Sequence, residues 1–321
     1  MKVCIMSDTH LSAQKYRKMN KKKNANQFML RQFETMDWIA SYLKDNGIST
    51  VVHGGDLFDT PRVSPYALKR AKDILSQFDC YIIKGNHDDT SFLHDEEVSA
   101  IDLMGVHAIN APTAIMIGTT NFVFNPWRYE INESFVKDGA KNVLVAHGFP
   151  KDLKTGSIPN ETAGDLIGKK SQLFDLVITG HYHKAFEFES GGTRYLNPGA
   201  ISAYANDVFD PSIWILDTET LQYERVEIPC AIKLIDVTPE DPEEFLESVD
   251  EENIYRVRVA KMPSKEVVSK ARRKALELQF RLIDIKANDC TEEKTLEFWE
   301  YVKDKKPEYF KPFKELLAEV D

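Results

Sequence analysis

A chain of 321 residues, 42% hydrophobic and 29% charged, is long enough for one large core plus a smaller appended unit and has the balance of a soluble globular protein. No apolar run is long enough to span a bilayer; the opening Met1-Lys2-Val3-Cys4-Ile5 carries no signal-peptide pattern; and the four scattered cysteines, Cys4, Cys80, Cys230 and Cys290, lack Cys-x-x-Cys spacing, which argues against a zinc ribbon or redox pair, and a reducing, cytoplasmic setting is expected. A formal net charge of −10 argues against a surface that grips nucleic acid all over, although bound cations would give a site its own local positive charge.

Five short apolar runs, residues 2–7, 50–54, 80–84, 142–146 and 175–179, read as strands, mostly rich in Val and Ile. Between the first two, residues 27–46 place Phe28, Phe33, Met36, Ile39 and Leu43 at helical spacing, with Gly47 as a stop. Ser64-Pro65 supplies the N-cap and first position of a second helix whose apolar face is Leu68, Ala71, Ile74, Leu75 and Phe78. The opening is therefore β-α-β-α-β, which implies a parallel sheet. Further on, residues 114–117 and 122–124, 184–189 and 193–196, and 212–216 and 223–228 flank polar turns as hairpins. Parallel units mixed with hairpins predict an α/β fold of two packed β-sheets flanked by helices.

Near Pro229-Cys230 the pattern restarts. Residues 231–237, 255–259 and 281–285 read as strands and 264–279 as a helix, a small α/β unit. From Thr291 onward two helical pieces are split by Pro307. The expected division is 1–229, 230–290 and 291–321.

The chemistry-bearing residues follow the five strands. In chain order the runs lead into Asp8-Thr9-His10, Gly54-Gly55-Asp56-Leu57-Phe58-Asp59, Gly85-Asn86-His87-Asp88, His147-Gly148 and Gly180-His181-Tyr182-His183. Five of the eight histidines fall in these motifs, which leaves His53, His94 and His107 as structural or surface residues. In open α/β sheets the carboxyl ends of the strands converge on one rim, so five separated motifs can build one site. Carboxylate, imidazole and amide oxygen without thiolate suit Mn²⁺, Fe²⁺, Zn²⁺ or Mg²⁺ rather than a structural zinc. A central carboxylate can bridge two such ions about 3.5–4 Å apart, the spacing of an in-line phosphoryl displacement.

The ordered set D-x-H, G-D-x-x-D, G-N-H-D, H-G and G-H-x-H resembles the calcineurin-like metallophosphoesterase superfamily over roughly residues 1–230. The resemblance implies one cation held by Asp8, His10, Asp56 and His183 and a second held by Asp56, Asn86, His147 and His181, with Asp56 the bridge. It further implies that His87 contacts phosphate and assists the leaving oxygen, and that Asp59 orients His87. The stretch from Gly54 to Asp59, the Arg62 and Ser-Pro helix after it, a helix over residues 96–104 and a cap after about residue 230 resemble SbcD-type DNA repair nucleases of bacteria and phages. Protein phosphatases carry Asp-Arg-Gly and Gly-Asn-His-Glu where this chain has Asp59-Thr60-Pro61 and Gly85-Asn86-His87-Asp88.

That second resemblance implies a DNA nuclease, exonucleolytic on duplex ends and endonucleolytic on single strands. It also implies two Mn²⁺ ions, a homodimer formed through residues 64–78 and 96–104, and an SMC-like ATPase partner, in the cytoplasm of a bacterial cell or a phage-infected host. The alternative within the superfamily is a phosphodiesterase or phosphatase of nucleotides or small phosphoesters. Lys15, Arg17, Lys18, Lys21, Lys22 and Lys23 form a basic loop beside the first motif, either a DNA phosphate contact or a solvated loop. Lys265, Lys270, Arg272, Arg273 and Lys274 on the cap helix could guide DNA or face solvent. Leu296, Trp299, Val302, Phe310, Phe313, Leu317 and Val320 make apolar stripes that pack on the chain's own cap or dock to the partner.

Overall fold

The computed structural model describes residues 1–13, 19–20, 25–90, 98–150, 166–167, 169–203, 209–249, 253–259, 266–267, 269–270 and 283–287. The chain divides into two compact units, Met1–Ile235 with Glu251–Ile254, and Asp236–Asp250 with Tyr255–Asp321. In the first unit, chain order runs β1 (Lys2–Met6), the two-residue pair β2 (Met19–Asn20) and β3 (Ala25–Asn26), α1 (Gln27–Asp45), β4 (Thr50–His53), α2 (Pro65–Leu75), β5 (Asp79–Ile83) and β6 (His107–Ile109). Then come β7 (Thr113–Ile117), β8 (Thr120–Asn125), β9 (Lys141–His147), the short β10 (Phe149–Pro150) and β11 (Leu166–Ile167), β12 (Leu176–Gly180), β13 (Phe186–Ser190), β14 (Thr193–Asn197), β15 (Ser212–Asp217) and β16 (Tyr223–Glu227).

Two six-stranded mixed sheets result, ordered β16-β15-β1-β4-β5-β6 and β13-β14-β12-β9-β8-β7. The central strands β1, β4 and β5 of the first are mutually parallel, as are β8, β9, β12 and β14 of the second. Strand alternation explains the layers. Val3 and Ile5 of β1, Val52 of β4 and Ile83 of β5 meet Phe122, Phe124, Val143, Val145, Leu176 and Ile178 between the sheets. The alternate residues Cys4, Met6, Val51, Cys80 and Ile82 turn to the other face, against α1 and α2. Both faces of the first sheet are thus buried, which is why its strands read as continuous apolar runs.

The helices follow their sequence signals. Asn26 caps α1, its side chain accepting from Met29 N–H at 3.2 Å, and the expected face, Phe28, Phe33, Met36, Ile39 and Leu43, is buried. Ser64 caps α2 through Ala67 N–H at 3.2 Å, with Pro65 at the first position. The helix expected over residues 96–104 is different. Residues 91–97 lie outside the described residues, and Ala100–Leu103 make a single 3₁₀ turn with Ser99 and Asp102 in a capping box. That box and Gly105, at φ +72°, hold the segment to one turn.

In the second unit, α3 (Pro242–Ser248) accompanies a three-stranded sheet of β17 (Leu234–Val237), β18 (Ile254–Val259) and β19 (Ile283–Ala287), with β18 and β19 parallel. Arg256 and Arg258 both reach Asp236, whose carboxyl is held below its usual range chiefly by the Arg256 hydrogen bond. Lys270 pairs with Glu247 at 2.7 Å. Lys265, Arg272, Arg273, Lys274 and residues 291–321 lie outside the described residues, as do Lys15, Arg17, Lys18, Lys21, Lys22 and Lys23.

Candidate metal centre

All five motifs leave the carboxyl ends of parallel strands in the first unit. The loops after β1 and β4 run side by side beyond the sheet: Asp8 N–H donates to the Gly55 carbonyl at 3.0 Å, His10 N–H to the Asp56 carbonyl at 3.0 Å and Leu11 N–H to the Leu57 carbonyl at 2.9 Å. The turns are tight. Asp8, His10, Asp56 and His181 take φ of 51°, 43°, 56° and 82°, the left-handed region that non-glycine residues rarely enter. Gly85 has to be glycine, since a Cβ there would lie 2.1 Å from Asp56 Oδ1 and 2.6 Å from Asp56 N.

The seven residues expected to bind cations come together. Ligand atoms converge in three overlapping groups: Asp8, His10 and His183; His10, Asp56 and His87; and Asp56, His147 and His181. His10 Nε2 lies 3.1 Å from His183 Nε2, 4.0 Å from Asp8 Oδ1 and 3.8 Å from Asp56 Oδ2. Across Asp56, His147 Nε2 lies 3.3 Å from Asp56 Oδ2 and 3.0 Å from Asn86 Oδ1, which in turn is 2.8 Å from His181 Nδ1. Asp56 therefore stands between the His10–His183 pair and the His147–His181 pair.

Proton positions show that this arrangement suits cations. His147 Nδ1 sits 2.7 Å from the Gly54 carbonyl, so Nδ1 carries a proton and Nε2 of the neutral ring is a lone pair. That lone pair faces two acceptors, Asn86 Oδ1 and the Asp56 carboxylate. A cation or a second proton placed among these three acceptors would satisfy them. Burial works against a charged His147, yet Asp56 and then Asp8 win and raise it to about 9. Burial also opposes ionisation of Asp56, but His147, then His10 and His87, hold it well below the usual carboxylate range. Asp8, by contrast, is raised to about 7 by burial, with Asp56 adding to the rise. Burial depresses His10 well below its ordinary value, which keeps its ring neutral. An oxygen and imidazole donor set with no thiolate fits two hard or borderline dications.

His87 adjoins the shared carboxylate, its N–H donating to Asp56 Oδ1 at 2.9 Å and its ring 4.7 Å from that of His10. Its orientation has a different source from the one expected. His87 Nδ1 lies 2.8 Å from the backbone carbonyl of Asp59, whereas the Asp59 carboxylate is 4.0 Å away. The peptide oxygen is the hydrogen-bond acceptor that fixes the ring.

The supporting roles of several residues escaped the sequence reading. Asp88 is fully buried and takes three backbone N–H groups, Leu57 and Gly85 on Oδ2 at 3.2 and 3.1 Å and Phe58 on Oδ1 at 3.2 Å, so it ties the Asp56 loop to the Asn86–His87 loop. Burial and the Asp56 charge push it up to about 7. Gln32 reaches from α1 to the Thr9 and His10 carbonyls at 3.3 and 2.9 Å. His53 accepts from Gly55 N–H at 3.2 Å and faces Thr9 Oγ1 at 3.3 Å, and burial lowers it to about 3, a neutral structural ring as expected. Asn197 donates to the Tyr182 carbonyl at 2.7 Å and steadies the last motif. Asp88 stands inside a recognised motif, but its bracing role, like the reach of Gln32 from α1, has no spacing signal.

A two-sheet sandwich carrying overlapping imidazole–carboxylate groups linked through His10 and Asp56 is the framework of a dinuclear metal-dependent phosphoesterase. Residues 1–221 match the calcineurin-like phosphoesterase superfamily domain, and the chain belongs to that superfamily, whose members depend on a dinuclear metal centre. Exonuclease subunit 1 of Enterobacteria phage T4 is 25% identical over 221 residues, covering 61% of this chain and 60% of that protein. Phosphodiesterase MJ0936 of Methanocaldococcus jannaschii is 29% identical over 107 residues, covering 31% and 57%. The chain thus spans about three fifths of the length of these curated relatives. The solved structure of a novel archaeal phosphodiesterase is 21% identical with a TM-score of 0.39, over 71% of this chain and 99% of that one. Among the described residues, no helix is long and apolar enough to cross a membrane.

Proposed function

We propose that the chain is a dinuclear-metal DNA nuclease, exonucleolytic on duplex ends and endonucleolytic on single strands, serving as the nuclease subunit of a recombination or repair complex. The observation that carries it is the chain of donor groups that overlap at His10 and Asp56, with the His87 backbone N–H donating to the Asp56 carboxylate. Identity to a phage exonuclease subunit supports DNA as the substrate. Asp8, His10, Asp56 and His183 would hold one cation, and Asp56, Asn86, His147 and His181 the other, with Mn²⁺ the expected ion. Bound there, the pair would draw charge from the attacking and leaving oxygens of an in-line displacement.

The chain's own groups set the rest. The Asp59 carbonyl accepts a hydrogen bond from His87 Nδ1–H, which leaves Nε2 as the nitrogen that meets substrate. As an imidazolium, His87 donates from Nε2 to the leaving oxygen. The Gly54 carbonyl fixes His147 in the tautomer whose Nε2 faces the site.

Further parts of the proposal rest on other regions. A homodimer would use α2 and residues 96–104, where Tyr66, Val98 and Leu103 stay 39%, 57% and 55% exposed. The basic loop at 15–23 would meet DNA phosphates, the cap after residue 230 would guide the duplex, and residues 291–321 would dock on an SMC-like ATPase. The deciding experiment incubates purified protein and Mn²⁺ with end-labelled duplex DNA, circular single-stranded DNA and bis-p-nitrophenyl phosphate. Shortened duplex ends and internal cuts in the circle are expected. Hydrolysis of the small diester with both DNAs intact would replace this reading with a small-molecule phosphodiesterase, the rival favoured by the identity to Phosphodiesterase MJ0936.

A further inference from the structure

The segment after β8 has no part in holding cations, yet it is anchored to the rim of the site. Trp127 N–H donates to the Lys84 carbonyl at 2.9 Å, immediately before Gly85-Asn86-His87, and Asn125 Nδ2 donates to the Tyr129 carbonyl at 2.7 Å. Between those two anchors Arg128 takes φ +71°, the left-handed region. Its guanidinium lies over the half-buried Trp127 ring, 4.1 Å from the centroid, and pairs with Asp89 at 3.7 Å, two residues beyond His87. The Arg128 side chain is nonetheless 44% exposed, and Tyr129 next to it is 49% exposed. A planar cation laid on an aromatic face and held by a side carboxylate has lost much of its rotamer freedom before any ligand arrives, and a guanidinium is the side chain that matches phosphate geometry.

We propose that Arg128, seated on Trp127, is a phosphate subsite for the backbone position next to the scissile one, on the His87 side, with the Tyr129 ring available to stack the adjoining base. The enzyme would thereby prefer a polynucleotide strand to an isolated diester. This deepens the nuclease reading and rests on it. The unusual torsion supplies a safe test, because Arg128→Gly removes the guanidinium while installing the residue that best tolerates φ +71°. Arg128→Lys keeps the charge and loses the planar stacking.

Two measurements decide it. With metal chelated, binding of a fluorescent oligothymidylate is followed by anisotropy across a salt series. Arg128→Gly should bind about tenfold more weakly, with a log–log salt slope shallower by about 0.7, the share of one phosphate contact on a single strand; Arg128→Lys should fall between. With Mn²⁺, KM for thymidine oligomers should drop with chain length in the native protein and lose most of that dependence in Arg128→Gly. Native-like affinity, salt slope and length dependence in Arg128→Gly would overturn the subsite while leaving the nuclease standing. Native protein that hydrolyses bis-p-nitrophenyl phosphate but cuts no oligomer of any length would overturn both.

Discussion

Replacing Asp88 should loosen the site more than replacing any other residue that holds no cation. Its two oxygens take three buried backbone N–H groups from two loops, those of Leu57, Phe58 and Gly85. In Asp88→Ala each of the three loses its partner with no route to water. A buried donor left unmet costs about 1–3 kcal/mol, and the removed carboxylate returns some of that because its burial was itself unfavourable. The net loss should be roughly 3–5 kcal/mol, a large part of the roughly 5–15 kcal/mol that holds a domain together. Asp88→Asn keeps one acceptor. Oriented to serve Leu57 and Gly85, it turns its amide N–H₂ toward Phe58 N–H, for a loss of about 1–3 kcal/mol. Urea unfolding in the presence of chelator gives both numbers as midpoint shifts at constant slope. Because the bonds join the loop of Asp56 to that of Asn86, Asp88→Asn should also weaken Mn²⁺ binding by about 10–100-fold in titration calorimetry, as with other residues that orient ligands. An Asp88→Ala protein within 1 kcal/mol of the native one, by the error of such extrapolations, would refute the bracing role.

Other expectations are shorter to state. Asp8, raised to about 7, holds its proton below neutrality, and His147, raised to about 9, holds one through the neutral range; a cation must displace them. Mn²⁺ affinity should therefore rise with pH between about 6 and 9, by up to about tenfold per unit for each proton released; calorimetry in buffers of different ionisation heat measures that release, and a flat profile would exclude it. His87→Asn should lower kcat on end-labelled DNA by about a hundredfold or more with metal content unchanged by elemental analysis. Asp59→Asn should lower it far less, under about tenfold, because the acceptor for His87 is the peptide oxygen that the substitution keeps; equal losses in the two variants would return the role to the carboxylate. Gly85→Ala drives a methyl into Asp56 and should cost about 1–3 kcal/mol in thermal or urea unfolding, together with Mn²⁺ affinity.

The strands, the two long helices and the convergence of five motifs were legible because each depends on local pattern. Apolar runs at 50–54 and 80–84 read as parallel strands since both faces are covered, and Ser64-Pro65 marks the helix it caps. The partner of β1 was not legible: β15 lies beside it, Val3 opposite Leu216, and such a pairing leaves no trace in either segment. The edge strand β6 has only three residues, too few for a period to show. At the site, ligand types and glycines announced the donor groups. Which Asp59 oxygen meets His87, and the reach of Gln32 and Asp88 to backbone atoms, depend on distances that only the folded chain sets.

The seven donor residues are divided between the two layers of the sandwich. Asp8, His10, Asp56 and Asn86 follow strands of the first sheet, while His147, His181 and His183 belong to the second. Cations gripped from both sides would act as a clasp at one end of the layered core. The melting temperature should then climb with ion concentration as mass action dictates, and chelation should unlock amide hydrogen exchange along that rim while the opposite end of the strands stays protected.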